Sequence, residues 1–100
     1  MYLYLAGPIS GKNQKEMYQN LERFAEKARE LRSLGLKIFS PAESEPPNKK
    51  WEWYLASDID TIYKEKFDGI YLMQGWKESP GAKLEREVAL NLGLKIIEES

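Results

Sequence analysis

The 100-residue sequence contains no cysteine and no histidine. The first absence excludes disulfides and thiolate chemistry. The second excludes Ser-His-Asp triads, histidine-ligated metals and imidazole proton transfer. Catalysis, if any, must come from carboxylates, hydroxyls, amines or backbone groups. An excess of charge is also missing: 15 Lys and Arg stand against 16 Asp and Glu, a net charge of -1. The basic residues are scattered among the acids, so nothing draws the chain to a nucleic acid polymer or an anionic membrane. No apolar run is long enough to span a bilayer, and the first residues lack the basic-then-apolar order of a secretory signal. The expectation is a soluble, cytoplasmic protein with no membrane partner. Neither the Walker A order nor a Gly-x-Gly-x-x-Gly fingerprint is found. What is present, 42% hydrophobic and 31% charged residues, is an ordinary globular balance. It suits a single domain, residues 1–100, with a modest core.

The chain alternates apolar runs with amphipathic ones. Met1 to Ala6 (MYLYLA) reads as a buried strand, with Tyr2 and Tyr4 on one face. The loop Gly7-Pro8-Ile9-Ser10-Gly11-Lys12 ends it. Asn13 and Glu16 form a capping-box pattern before a long helix with Met17, Leu21, Phe24, Ala28 and Leu31 on its apolar stripe. Gly35 stops that helix, and Leu36–Phe39 is a second strand. Ser40–Lys50 holds three of the five prolines and reads as a loop able to cover a site. A helix over Trp51–Lys66 follows, with Trp51, Leu55, Ile59 and Ile62 on one arc and Asp58 inside it. Gly69–Met73 is a third strand. Ser79 then caps a fourth helix, with Pro80 in its first turn. On that helix Leu84, Val88, Leu92, Ala89 and Ala82 share an arc that contains Glu85. Gly93 ends it before a last strand, Leu94–Ile97. This alternation predicts an α/β, Rossmann- or flavodoxin-like three-layer sandwich. Its small parallel sheet has about four strands in the order 2-1-3-4. Ligands of such sheets bind beyond the carboxyl ends of the strands. There the Gly7–Lys12 loop, the proline-rich loop and the Gly75–Glu85 stretch converge.

A carboxylate on a buried helix face costs free energy unless it is paired or used. Glu85 and Asp58 both break that rule. Glu85 is the candidate nucleophile, since a carboxylate can attack an anomeric carbon. Asp58 is the candidate acid or binder of a sugar hydroxyl. Their structural alternatives are an acid at the helix edge paired with Lys83 or Arg86, and a hydrogen-bonded capping Asp. Tyr4 can reach Glu85 from the first strand, or be a core aromatic. Gly7 to Lys12 offers amides, a hydroxyl and an ammonium to a phosphate, or is a plain turn. Ser79, at a helix N-terminus, is a second anion-binding candidate. Among the indoles, Trp51 is read as core, Trp53 as an interface residue, and Trp76 as the ring on which a base would stack.

These residues together resemble the nucleoside 2-deoxyribosyltransferase-like superfamily. The matching stretches are Tyr4-Leu5-Ala6-Gly7-Pro8-Ile9, Ser57-Asp58 with Asp68-Gly69-Ile70, and Ser79-x-Gly81-x-x-x-Glu85 with Ala89 and the Gly-Leu-Lys-Ile-Ile strand. That superfamily includes deoxyribosyltransferases and 2'-deoxynucleoside 5'-monophosphate N-glycosidases. The pattern is most similar to a small uncharacterised bacterial and phage branch that shares Trp51, Tyr54, Asp58, Gly75-Trp76 and Gly81-Ala82-x-x-Glu85. The resemblance implies Glu85 as nucleophile on C1' of a deoxyribose, Asp58 assisting the leaving base or binding the sugar, and Tyr4 orienting Glu85. It implies contacts to base and sugar from Ile9, Ser10 and Gly11, with Gly7, Pro8, Trp76 and Gly81 in the same site. It places Ser79 where the glycosidases hold a 5'-phosphate, which tilts the substrate toward a nucleotide. No cofactor or metal is implied. Pro8 stands where the glycosidases often have Ser, and Lys83 replaces a small residue near the nucleophile.

Two other functions fit the same residues: a nucleotide-binding or sensing module without catalysis, and an assembly protein that keeps only the fold. A homodimer or higher homo-oligomer is expected in each case, from the small domain and the exposed Trp53 and Leu90.

Overall fold

The computed structural model of the protein describes residues 1–46 and 48–100. Pro47, inside the predicted Ser40–Lys50 loop, lies outside the described residues. Strand β1 is Tyr2–Ala6, followed by helix α1, Gln14–Ser33, strand β2, Lys37–Phe39, and a one-turn helix α2, Pro41–Ser44. Helix α3 is Trp51–Lys64, strand β3 Gly69–Leu72, helix α4 Pro80–Asn91 and strand β4 Lys95–Glu98. All strand pairs are parallel, in the order β2-β1-β3-β4 that the sequence predicts.

Strand β1 sits in the middle of the sheet, and alternation sends its residues to two different layers. Leu3 and Leu5 join Ile38 and Met73 against Phe24, Ala28 and Leu31 of α1. Tyr4 and Ala6 join Ile70 and Leu72 against α3 and α4, through Ile62, Ala82 and Ala89. Gly69 pairs with both Leu3 and Lys95. A Cβ there would lie 2.9 Å from the Lys95 carbonyl oxygen and 3.1 Å from Leu3 Cδ2, so only glycine lets β3 seat fully.

The capping of α1 is as its sequence suggests in one half only. Asn13 Oδ1 accepts from the Glu16 amide at 2.9 Å, but the Glu16 carboxylate reaches the Lys12 amide, at 3.4 Å, instead of closing the box on Asn13. The proline-rich stretch is not wholly loop. Pro41 begins a helical turn, which its fixed φ favours, and Arg32 of α1 holds Glu43 of that turn.

Two buried faces differ from the wheel reading. On α4 the buried residues are Ala82, Glu85 and Ala89, while Leu84 and Leu92 are exposed. Two alanines let the helix approach the sheet closely, which leaves the leucines outside the contact. On α3, Asp58 and Ile62 are buried, Leu55 and Ile59 are half-buried, and Trp51 is exposed. Trp51 opens the helix, one turn beyond the part that packs on the sheet. Trp53 and Leu90 are exposed.

Candidate functional site

Four segments bring polar side chains to one place on the α3–α4 side of the sheet. Tyr4, in mid-β1, is 0% exposed. Its ring stacks on Phe39 at 5.7 Å and meets the edge of Phe67 at 5.6 Å. Pinned in this way, its hydroxyl donates a 2.8 Å hydrogen bond to Glu85 Oε2. Glu85, 5% exposed, occupies the buried stripe of α4 between Ala82 and Ala89. Asp58, 8% exposed, comes from the buried stripe of α3. Glu45, just past α2, comes up beside Asp58, and its Oε2 is buried without a hydrogen-bond partner among the described residues. The segment that carries Glu45 is held by Tyr54, whose hydroxyl donates to the Pro46 carbonyl at 2.7 Å and accepts from the Lys49 amide at 3.1 Å.

Burial is the largest influence on every one of these groups, and none of the charges acting on them is cationic. Burial and then the charge of Asp58 push the Glu85 carboxyl well above its ordinary range, with the Tyr4 hydrogen bond pulling the other way. Glu45 is pushed up to about 9, by burial and then by the neighbouring Asp58 carboxyl. Asp58 is also raised, first by burial, with its neighbours Glu45, Glu85 and Tyr4 pulling the other way. The Tyr4 phenol is raised, first by burial and then by Glu85. Three carboxyl groups without a cation cannot all ionise. The negative charge is best placed on Asp58, with protons held by Glu45 and Glu85. Passing the Glu85 proton to Asp58 would create a carboxylate nucleophile and an acid in one step. Among the described residues, no group of three Asp or Glu side chains is arranged to hold a metal ion.

A crevice of about 300 Å³ opens at the N-terminal ends of the two helices that carry the acids. Pro8, Ser10, Gly11 and Lys12 form one side, and Trp51, Glu78, Ser79 and Pro80 the other. Ser79 Oγ accepts the Ala82 amide at 3.2 Å and so sets the first turn of α4. Gly81 lies beneath Trp51: a Cβ there would come within 3.8 Å of the indole nitrogen.

The other residues singled out in the sequence lie elsewhere. Gly7 is buried against Met73, which a Cβ would meet at 3.0 Å. Ile9 packs toward α1, and its carbonyl and that of Ser10 accept from Asn20 Nδ2 at 3.3 and 3.4 Å. Both shape the loop from below instead of facing the crevice. Trp76 is outside it too: the indole donates to Glu98 Oε1 at 3.0 Å and sits in a second hollow, of about 600 Å³, with Lys77, Lys83, Leu84 and Arg86. Lys83 therefore points away from Glu85, and being exposed it leaves that acid without a cation. Two residues near the site carry no role in the sequence reading. Glu45 falls in the proline-rich stretch, read as a loop able to cover a site, and its place after the second strand is the signal for it. Trp51 falls on the apolar arc of its helix, which reads as core.

Comparison with known proteins agrees with the fold. A solved 2-deoxyribosyltransferase from Bacillus psychrosaccharolyticus superposes with a TM-score of 0.68, at 22% sequence identity, over 98% of this chain and 71% of that one. Among curated proteins no sequence matches. The model of one family, described as "Domain of unknown function (DUF4406)", matches residues 1–98, and the chain belongs to that family.

Proposed function

We propose that the protein cleaves the N-glycosidic bond of a 2'-deoxynucleoside, transferring the sugar to water or to a second base. The observation that carries this reading is the buried Tyr4–Glu85 hydrogen bond with Asp58 beside it. Glu85 gives its proton to Asp58 as the substrate seats. Tyr4 holds Oε2, which leaves Oε1 to attack C1'. The C1'–N bond breaks, its electron pair goes to the base nitrogen, and Asp58 returns the proton there. The glycosyl-enzyme ester is then opened by water or by another base on the same face of the sugar, as in retaining glycosidases.

The charge balance of the crevice bears on the substrate. Lys12 is its one cation among the described residues, against Glu16 and Glu78. A dianionic phosphate gains little from such a lining, whereas an uncharged ring loses nothing. The reading therefore favours the nucleoside over its 5'-monophosphate. The competing reading, a binding module without chemistry, draws support from the proton that burial keeps on Glu85.

The test is incubation with a panel of deoxynucleosides and their monophosphates, with free base measured by chromatography. Base release by the wild type, lost by on the order of 10³-fold in Glu85→Gln, is the expected outcome. Tight binding without base release would favour the module. Equal turnover in Glu85→Gln would sink the nucleophile.

A further inference from the structure

The three indoles of this protein are in unequal company. Trp76 donates its N–H to Glu98 and lies under Arg86 and Lys77, at 5.3 and 5.8 Å. Trp53 meets the Tyr54 ring edge-on at 5.5 Å and lies under Lys49, also at 5.5 Å. Trp51 has no hydrogen bond, aromatic partner or cation among the described residues. It is 44% exposed, and Gly81 lies close beneath it, where a Cβ would come within 3.8 Å of the indole nitrogen. An indole left open to water forgoes much of the stabilisation that its burial would give. Neither local helix chemistry nor the core explains it: the first position of α3 needs no aromatic residue, and the packed stripe of that helix begins beyond it.

Its position does explain it. Trp51 lines the crevice and faces the loop after β1. Gly81, on which it rests, is four residues before Glu85 on the same helix, so the two are stacked about 6 Å apart along the axis. A ring lying on Trp51 would sit over the first turn of α4, one helical turn before the carboxyl group that would attack the sugar. The indole offers a flat face and an uncommitted N–H donor, the two things a planar heterocycle with ring nitrogens and carbonyls can use.

We infer that Trp51 is the platform for the substrate's base: it stacks on a purine or pyrimidine ring in the crevice and sets specificity there, the role that the sequence had suggested for Trp76. This rests on the nucleoside reading above, though base binding can be tested without turnover. Stacking on an aromatic side chain lowers Kd by roughly 5- to 150-fold per base. Trp51→Ala should therefore raise KM at least about fivefold, more for purines than for pyrimidines, with a smaller change in kcat. Trp51→Phe should fall between the two, and Trp53→Ala, outside the crevice, should leave KM unchanged. A KM in Trp51→Ala within twofold of wild type would overturn the inference while base release and its loss in Glu85→Gln left the nucleoside reading standing. Should the wild type release no base, titration with free adenine decides the matter through tryptophan fluorescence. A saturable quench in the wild type that is absent from Trp51→Phe supports the platform. A quench in both proteins, or in neither, overturns it.

Discussion

The two faces of β1 are built from adjacent residues and do opposite things. Leu3 and Leu5 meet Phe24, Ala28 and Leu31 of α1 in a layer without a buried charge. Tyr4, one residue away, enters a layer where Asp58 and Glu85 lie under the same sheet as Ile62 and Ile70. The first layer follows the rule that apolar area leaves water and stabilises the fold. The second keeps uncompensated acids in a place where each would rather be neutral. The acids lower stability and are still held in place, by stacked aromatics and a short hydrogen bond. The difference teaches that α1 and β1 supply the stability that the α3–α4 face lacks.

The comparison breaks most sharply with one substitution on each face. Phe24→Ala should lower the free energy of unfolding by about 3–5 kcal/mol, read as a shift in the urea midpoint, because it opens a cavity under β1. Whatever remains folded should retain wild-type base release. Glu85→Gln should do the reverse: base release is lost, and the urea midpoint at pH 8 is no lower than that of wild type. The amide keeps the shape and still accepts from Tyr4, while the buried carboxyl is gone. A Glu85→Gln protein that unfolds easily would mean that the acid is structural and that the two faces are not so different.

A smaller effect separates the faces by pH. The carboxyls of Glu45, Asp58 and Glu85 are raised in the folded state, first by burial, Glu45 to about 9. Between the ordinary carboxylate value, about 4.3, and those raised values, the folded protein binds more protons than the unfolded chain. Stability contributed by these protons is complete at the acidic end and is lost as pH rises. Glu43 and Glu99 are lowered by their partners Arg32 and Lys27 and act in the opposite sense, but only below the ordinary range. The raised Lys27 matters only in strong base. The urea midpoint should thus rise as pH falls from 8 to 5.5, and Glu45→Gln should flatten that slope. A midpoint that is level or falls on acidification would show that the acids are not protonated in the folded protein.

Much of this was legible in the sequence, and the failures have physical causes. Strand and helix alternation with short connections gave the strand order, because right-handed crossovers leave few arrangements. Glu85 and Asp58 were visible as acids on apolar arcs, and Tyr4 by its place in the first strand. Helix wheels alone misplaced Trp51, Leu84 and Leu92. A wheel gives direction around the axis but not how close the helix comes to the sheet, nor how far along it the contact runs. Ala82 and Ala89 set the first, and the position of Trp51 in the opening turn set the second. Glu45 was hidden because the proline-rich stretch has no periodicity. Its approach to Asp58 depends on the turn at Pro41 and on the two hydrogen bonds of Tyr54, neither of which has a sequence period.

The smallest expected effect lies where the two faces are joined. Arg32, in the last turn of α1, donates from Nη1 and Nη2 to both carboxylate oxygens of Glu43 at 2.7 Å, and from Nη2 to the Ile38 carbonyl at 2.8 Å. Glu43 belongs to α2, two residues before Glu45. The helix of the apolar face thus holds the segment that brings the third acid to the other face. Both side chains are substantially exposed, 39% and 48%, so the pair is worth about 1 kcal/mol at most despite its forked geometry. Arg32→Ala should lower the urea midpoint by no more than that. Arg32→Lys should recover only part of it, because an ammonium cannot engage both oxygens and the Ile38 carbonyl together. The telling readout is the pH slope. If the fork places Glu45 against Asp58, Arg32→Ala should flatten the slope toward that of Glu45→Gln, an effect that a plain loss of surface charge would not produce. An unchanged slope would mean that Tyr54 alone holds the segment and that the two faces are joined less closely than the fork suggests.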